Sequence, residues 1–243
     1  MFQEFNHVFS TQESQTGYLD RLSLASNSAG TCWLASCSFQ LERYEPRLYA
    51  ELDIKLNDDI RSSVPKRQAE FLAGRYLAKT LLQSASSFDG EIKVGLNRQP
   101  TWPNGWIGSI SHTDDRALVL GHCGQKKFAG IDIENVIPFS TCKDIATSIH
   151  SNEELALFVE QGIAENIATT LIFSAKESLF KATYPYIGYY FGFESAKVIT
   201  LDVSKGYLIL SLDHGIASKA KIPLVYPCHY VDDTHSVTTM ILA

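Results

Sequence analysis

The order of elements along the chain predicts an α+β fold made of two related halves. In each half a helical pattern is followed by a loop and then by short apolar segments with strand-like alternation. The break between the two sets falls near residues 124–127, which predicts an N-terminal half, residues 1–125, and a C-terminal half, residues 126–243. A chain of 243 residues, 45% of them hydrophobic, suits one large domain or two half-size ones.

The elements of the first half follow from Pro65 and from apolar spacing. Residues 1–50 are predicted to be irregular. A helix is predicted from Lys66 to Gln83, because Pro65 favours a helix start and apolar residues then recur at a period of 3.6. Two strands are predicted at 117–120 and 128–131. Paired as a hairpin, they would bring His112 beside Asp132 and Glu134.

In the second half, the spacing of Ser151 and Glu154 predicts a capping box at a helix start. A longer helix is predicted over about 166–183, ending before Pro185. Strands are predicted at 195–203, 207–212 and 236–242.

Composition limits the class of protein. The net charge of −6 argues against a nucleic-acid-binding surface, and no apolar run is long enough for a membrane span. The first residues lack the features of a signal peptide, and the five cysteines form no CxxC pair. We therefore expect a cytoplasmic protein with free thiols and no zinc site. All eight arginines precede residue 117, which fits phosphate recognition by the first half, although simple drift in composition explains it equally well.

Two acids on a short strand are the first candidate site. In the segment 130–134, strand alternation puts Ile131 and Ile133 on one face, and Asp132 and Glu134 on the other. The acids indicate either a metal site or a solvated sheet edge.

A helix stripe is the second candidate site. Phe173, Glu177 and Lys181 are spaced at i, i+4 and i+8. A surface Glu–Lys pair worth about 0.2–0.5 kcal/mol is the simpler interpretation, but the aromatic residues Phe173 and Phe180 are unusual on a solvated face. Together the carboxylates and the lysine suit a Mg²⁺-assisted transfer of a phosphate-containing group.

Basic residues near the predicted first helix form the third candidate site. Arg67 and Arg75 share one helix face, and Arg61 and Lys66 lie near the N-terminus, where the helix dipole also favours anions. These charges indicate either phosphate binding or ordinary surface solubility.

Together these segments resemble the 4′-phosphopantetheinyl transferases of the large surfactin-synthetase type. The resemblance rests on Gly-Ile-Asp-Ile-Glu at 130–134, Ser111-His112, and Phe-Ser-Ala-Lys-Glu-Ser-Leu-Phe-Lys at 173–181, in that order. The segment 64–75 and the Phe-Ser-Ala-Lys-Glu-Ser form of the helix resemble the subgroup of enterobactin synthase component D.

The resemblance implies a monomer of two pseudo-twofold related α+β halves with the active site between them. Such enzymes use Mg²⁺ to move the 4′-phosphopantetheine arm of coenzyme A (CoA) to a serine of an apo-carrier protein, releasing adenosine 3′,5′-bisphosphate. The carriers implied are acyl or peptidyl carrier proteins of siderophore, other nonribosomal peptide, polyketide or fatty-acid synthesis. No nucleic acid and no membrane segment are expected.

Matched position by position, the resemblance implies three groups of site residues. The metal ligands are Asp132, Glu134 and Glu177, and the catalytic residues are Glu177 and Lys181. The residues implied in CoA binding are Arg61, Arg67, Arg98, Ser111, His112, Lys176 and Lys181. Glu154 lies near a family glutamate proposed as a base, but the loop length differs, so its role stays open.

Two other functions fit the same residues. A metal-dependent phosphoesterase would use the carboxylates with water in place of the carrier serine. A non-catalytic module would bind CoA or a carrier protein without reaction. The aromatic segment 184–193 is either a docking patch for the carrier or part of the core.

Overall fold

The computed structural model describes residues 2–13 and 16–243, which form two compact units, Gln3–Gln125 and Lys126–Ala243. Each unit contains a five-stranded sheet and one long helix. The strand pairings in both sheets are antiparallel, which confirms the α+β class. No helix in the described residues combines the length and apolar character that a membrane span needs.

The first unit is built on the sheet β1-β2-β3-β7-β6. Its strands are β1 (Phe5–Glu13), β2 (Leu19–Asn27), β3 (Cys32–Phe39), β6 (Ile107–His112) and β7 (Arg116–His122), and a small hairpin consists of β4 (Lys93–Val94) and β5 (Pro100–Thr101). The helices are α1 (Leu48–Glu51), α2 (Asp58–Arg61) and α3 (Pro65–Ala85).

Helix α3 lies where it was predicted, with Pro65 as its first residue. Proline suits that position because its missing N–H has no partner inside the helix. The helix packs on β3, β6 and β7. Gly74 faces Ile110, and a Cβ there would lie 2.8 Å from the Ile110 side chain, so the glycine permits this close packing. Of the apolar residues on which the predicted period rests, Ala69, Leu72, Ala73 and Leu77 are completely buried.

The prediction that residues 1–50 are irregular is wrong, because they supply β1, β2 and β3. In β3, the residues Ala35, Cys37 and Phe39 are buried, while the serines between them are partly exposed. Small and hydroxyl-bearing residues thus occupy positions where β-branched residues are usual in strands. The alternation of buried and exposed positions is therefore hard to recognise in the sequence. In β2 the register also shifts between Asp20 and Ser23.

The second unit is built on the sheet β8-β12-β11-β10-β9. Its strands are β8 (Ala129–Asn135), β9 (Ala196–Asp202), β10 (Tyr207–Leu212), β11 (Val225–Asp232) and β12 (Ser236–Leu242). The helices are α4 (Phe139–Ile149), α5 (Asn152–Val159), α6 (Glu165–Ile187) and α7 (His214–Ala220). Four of these strands (β8, β9, β10 and β12) and the start of α5 match the predictions, whereas β11, α4 and α7 were not predicted.

Helix α6 runs through Pro185, so the predicted end before that residue is wrong. Proline removes one backbone hydrogen bond, to the carbonyl of the residue four positions earlier. Here the loss falls in the last turn, and Ile187 is buried against the core. Gly188 then ends the helix with a left-handed φ of 75°, and its N–H donates to Tyr184 O.

The predicted hairpin between the strands flanking residues 122–125 is also wrong. β7 is flanked by β3 and β6, so both of its edges are already paired, and β8 pairs with β12. The tight turn instead joins β6 to β7, where Thr113 N donates to Arg116 O. The hairpin argument for placing His112 beside Asp132 and Glu134 therefore fails.

All five cysteines are free thiols, as expected. Cys32, Cys37, Cys142 and Cys228 are buried, and Cys123 is exposed. Burial raises the pKa of Cys32, of Cys37 and of Cys228 to about 12.

A glycine on β8 fixes the approach of α6 to the second sheet. A Cβ built on Gly130 would lie 1.9 Å from the carbonyl oxygen of Ser178 and 3.0 Å from the Ala182 side chain. The first contact is with helix backbone, which cannot rotate away. The face of β8 that carries Gly130, Asp132 and Glu134 is therefore the face that α6 covers.

We expect Gly130→Ala to lower the free energy of unfolding by about 1–3 kcal/mol or more, because the added methyl forces α6 away from β8. Gly215→Ala, in the short surface helix α7, is the control and should be neutral or stabilising by up to about 1 kcal/mol. Urea denaturation of both variants measures the difference. Equal stability of the Gly130 variant and the parent would contradict this role.

Candidate active site

Asp132 and Lys181 form the centre of the candidate site in the second unit. Lys181 Nζ, on α6, lies 2.6 Å from Asp132 Oδ1 and 3.4 Å from the carbonyl oxygen of Ile131. The Asp132 side chain is 2% exposed, and that of Lys181 is 26% exposed. The pair therefore joins a buried carboxylate to an ammonium that solvent still reaches.

Glu177 lies one turn before Lys181 on α6. Burial raises the pKa of Glu177, the charge of Lys181 opposes the shift, and the charge of Asp132 adds to it. Two carboxylates thus share one neighbourhood with a single ammonium. The interpretation of Glu177 and Lys181 as an ordinary surface pair is wrong, since Lys181 binds the sheet carboxylate.

Glu134 shares the strand face of Asp132 and is half-buried. Among residues 2–13 and 16–243, however, no three His, Cys, Asp or Glu side chains are arranged as a metal-binding group. Two residues along a strand separate Asp132 from Glu134 by roughly 6.6 Å, and Lys181 already contacts Asp132 Oδ1. The structure therefore brings Asp132 and Glu177 together, and the role of Glu134 as a third ligand stays a prediction.

Buried hydroxyl groups hold α6 behind these carboxylates. Ser174 Oγ lies 3.0 Å from Thr239 Oγ1, and Ser178 Oγ lies 2.7 Å from the same atom and donates to Thr239 O at 3.0 Å. Thr239 pairs directly with Asp132 across β12 and β8. Sequence reasoning missed this support, although the i, i+4 spacing of the two serines on either side of Glu177 was a usable signal.

Lys176, next to Glu177, points into the protein. Its side chain is 2% exposed, and its Nζ lies 2.9 Å from Glu154 Oε1 and donates to Ile149 O and Phe193 O at 2.8 and 3.1 Å. Burial lowers the pKa of Lys176, while the bond to Glu154 opposes the shift. With Glu154 Oε2 at 3.3 Å, Lys176 Nζ has four protein oxygens around it, which is the bonding pattern of a structural residue. The predicted contact of Lys176 with CoA is thus left without support.

Glu154 is held as firmly as Lys176. Its Oε1 accepts from Val198 N at 2.9 Å, and its Oε2 accepts from Ser151 N at 3.0 Å in the predicted capping box. The carboxylate thereby ties the start of α5 to β9 and to α6. A base must be free to take a proton, so this geometry favours a structural role for Glu154.

Arg67, Glu70 and His112 form a polar cluster in the first unit. Arg67 Nη1 donates to His112 Nε2 at 2.9 Å and lies 3.6 Å from Glu70 Oε2. Because arginine only donates, His112 Nε2 accepts, and the ring proton sits on Nδ1, 3.6 Å from Glu70 Oε2. Burial raises the pKa of Glu70, and Arg67 opposes the shift. Glu70 was not predicted, although it lies three residues after Arg67 on α3.

The other predicted phosphate ligands are placed differently. Ser111 is 4% exposed, so its hydroxyl is buried within the sheet. Arg61 ends α2 and is exposed, 4.0 Å from Asp58. Arg98 is exposed in the β4–β5 turn with φ of 66°, and its N–H donates to Gly95 O. Of the predicted first-unit set, the structure brings together only Arg67 and His112 among the described residues.

The aromatic segment at the end of α6 is partly exposed. Phe180 contacts the rings of Tyr184, Tyr190 and Phe191 at centroid distances of 5.2–5.5 Å. Tyr190 is 74% exposed. A shallow groove beside this cluster is also lined by Glu177, so the apolar surface adjoins the candidate site.

Two family descriptions match this chain. The 4′-phosphopantetheinyl transferase N-terminal domain matches residues 56–121, which include Arg67, Glu70 and His112. The 4′-phosphopantetheinyl transferase superfamily matches residues 129–229, which include Asp132, Glu177 and Lys181. The chain belongs to the 4′-phosphopantetheinyl transferase superfamily. The predicted family of enzyme is therefore confirmed, whereas the surfactin-synthetase subgroup stays a prediction.

Similar members of this superfamily are known by name. Enterobactin synthase component D of Salmonella typhi is 36% identical over 155 residues, 61% of each chain. The protein of the same name from Escherichia coli K12 is 37% identical over 118 residues, 49% of this chain and 55% of the relative. The 4′-phosphopantetheinyl transferase Npt of Nocardia iowensis is 31% identical over 149 residues, 60% of this chain and 65% of the relative. The chain thus spans about three-fifths of the length of these curated relatives.

We expect Lys176→Met to destabilise the protein by about 3–5 kcal/mol, because it leaves the buried Glu154 carboxylate without its cation. Adding Glu154→Gln should recover part of that loss. Lys205→Met, which removes an exposed partner of Asp202, is the matched control and should leave the free energy of unfolding nearly unchanged. Denaturant unfolding of the three variants measures these values. A stable Lys176 variant with a raised KM for CoA would instead support the predicted binding role.

Proposed function

We propose that this chain transfers the 4′-phosphopantetheine group of CoA to a serine of an apo-carrier protein, in a Mg²⁺-dependent reaction that releases adenosine 3′,5′-bisphosphate. The proposal is supported by membership of the superfamily and by the names of the relatives, which include a 4′-phosphopantetheinyl transferase. The observation that carries it is the contact of Lys181 with Asp132 beside Glu177, within the stretch that matches the superfamily.

The chemistry of the carboxylates fits Mg²⁺. The ion commonly binds through one or two carboxylates and completes its shell with water and substrate phosphates. Asp132 and Glu177 are two such carboxylates, and the charge of Asp132 helps to raise the pKa of Glu177. We propose that they hold the ion, with Glu134 as a further ligand. When bound, Mg²⁺ would supply the positive charge that offsets the substrate phosphates.

In this proposal, residues of the second unit carry out separate steps of the reaction. In the transfer, the carrier serine oxygen forms a bond to the phosphorus of the arm, and the pyrophosphate P–O bond breaks, its electron pair leaving with adenosine 3′,5′-bisphosphate. Lys181, oriented by Asp132, would donate hydrogen bonds to the phosphate oxygens as charge moves to the leaving group. Glu177, whose pKa is raised by burial, would accept the serine proton, directly or through water.

The basic residues of the first unit would bind the phosphates of CoA that do not react. Arg67 is 42% exposed and His112 is 26% exposed at the side chain, so an approaching phosphate can reach both. Arg98 and Arg61 would add charge from exposed turns. Because these phosphates are the same in the ground and transition states, such contacts lower KM rather than raise kcat.

The partner we propose is an acyl or peptidyl carrier protein, with CoA as co-substrate. The similarity to enterobactin synthase component D favours a carrier of siderophore synthesis, although nonribosomal peptide, polyketide and fatty-acid carriers fit the same chemistry. The pseudo-twofold arrangement, the monomeric state, the cytoplasmic location and the carrier-docking role of residues 184–193 stay predictions.

One assay separates the proposed function from its alternatives. The protein is mixed with CoA, Mg²⁺ and a panel of apo-carrier proteins, and the carriers are analysed by intact-mass spectrometry. Transfer adds one phosphopantetheine arm to a carrier serine. Release of free phosphate with unmodified carriers would indicate a phosphoesterase, and CoA binding without either product would indicate a non-catalytic module.

Lys181→Met tests the catalytic contact. Removal of one preorganised donor should lower kcat by about 10²-fold or more, while CoA affinity falls only modestly. Lys205→Met, another lysine paired with an aspartate, should leave kcat unchanged because that pair is exposed at the surface. Steady-state kinetics and CoA titration decide the point. Wild-type kcat in the Lys181 variant would exclude the proposed role.

A further inference from the structure

A cavity in the first unit is lined by none of the residues proposed to bind CoA. It measures about 240 Å³ and lies against one face of α3. Phe71, Arg75 and Lys79 line it at i, i+4 and i+8, and the segments 53–55 and 89–92 form the other walls. Its size lies between the about 150 Å³ cavity that holds benzene and the about 300–1,000 Å³ of drug-sized sites. A ligand with one ring or a short branched chain fits this volume.

Arg75 is the distinctive group of this cavity. The residue is 7% exposed, and its guanidinium carbon lies 4.9 Å from the centre of the Phe71 ring. Its Nη1 donates to Ile92 O at 3.0 Å and to Lys93 O at 3.4 Å. In the part of the chain that the structure describes, Nε and Nη2 of Arg75 donate no hydrogen bond. One edge of the guanidinium fork is therefore anchored to backbone, and its remaining donors are unused.

A buried cation with unused donors is costly. Burial lowers the pKa of Arg75 to about 10, so the group stays charged at neutral pH. No carboxylate contacts it as an ion pair in residues 2–13 and 16–243, although the charge of Glu91 acts on it from a greater distance. A bound anion would accept hydrogen bonds from those donors of the buried Arg75 guanidinium that no protein atom uses.

The cavity wall indicates which anion fits. Ile54, Phe71 and Ile92 supply apolar surface, while Asp89 and Glu91 bring negative charge that repels a doubly charged phosphate. Lys79 is engaged by Asp53, which leaves Arg75 and Lys55 as the cations for a ligand. We propose that this cavity binds a small monoanionic carboxylate, whose oxygens accept from the Arg75 fork and whose apolar part lies against Phe71.

This site differs from the proposed CoA-phosphate cluster. Arg75 follows Arg67 by eight residues on α3, which places the two about 12 Å apart along the helix. The proposal does not depend on the transferase activity, because it rests on the cavity and on Arg75 alone.

Calorimetric titration with three compounds of similar shape tests the proposal. Phenylacetate, phenethyl alcohol and phenethylamine share a ring and a two-carbon chain but are anionic, neutral and cationic. We expect saturable binding of phenylacetate, at least about tenfold weaker binding of the alcohol, and no binding of the amine or of inorganic phosphate. Equal binding of all three, tighter binding of the amine or of phosphate, or no binding of phenylacetate would overturn the proposal.

Two variants locate the binding. Arg75→Lys keeps the charge but loses the fork, and should weaken phenylacetate by about tenfold or more. Glu91→Gln removes a repelling charge without touching the backbone anchor, and should tighten phenylacetate binding even if the Arg75 variant folds poorly. Unchanged affinity in a folded Arg75 variant, or in the Glu91 variant, would contradict the assignment.

A competition experiment separates this site from CoA binding. Saturating CoA should leave the affinity for phenylacetate unchanged, and phenylacetate should not alter the KM for CoA. Displacement of one by the other would place the cavity inside the CoA site and overturn the proposal of a separate carboxylate site.

Discussion

The contact of helix α6 with strand β8 at Gly130 is the constraint on which the candidate site depends. The Ser178 carbonyl occupies the space that any side chain at position 130 would need. This approach brings Lys181 within hydrogen-bond distance of Asp132, since a long side chain on α6 then reaches the sheet. The buried hydroxyls of Ser174, Ser178 and Thr239 join α6 to the neighbouring strand β12. The backbone packing at Gly130 and the contact between Lys181 and Asp132 thus depend on the same approach of α6 to the sheet.

Two neighbouring residues on α6 have different roles: one supports the fold, and the other belongs to the candidate site. Lys176 turns inward to the Glu154 carboxylate and two backbone carbonyl oxygens, whereas Glu177 lies near Asp132 and Lys181. Consecutive helix positions differ by about 100° around the axis, so two adjacent residues of one short motif point to different parts of the protein. The capping box extends this arrangement, because Glu154 fixes the start of α5 with the same carboxylate that binds Lys176.

The local parts of the fold and site could be predicted from sequence, and the non-local parts could not. Helix α3, the helix motif around Glu177 and the Ser151 cap follow from spacing along a single element. The partners of β7 and β8 depend on strands far away in the chain, so the turn near residue 123 gave a false hairpin. The inward direction of Lys176 likewise depends on Glu154, 22 residues earlier, which no spacing rule on α6 contains.

The five thiols differ in their exposure, so a thiol-reactive label can be attached at a single position. Cys32, Cys37, Cys142 and Cys228 are buried, and Cys123 alone among the five is exposed. A maleimide dye or spin label would therefore attach at Cys123 without engineering. That residue lies just before the boundary at Gln125, so the attached probe would report on the segment that joins the two units. Spectroscopy on the native sequence would then show whether the surroundings of this segment change when CoA or a carrier protein is added.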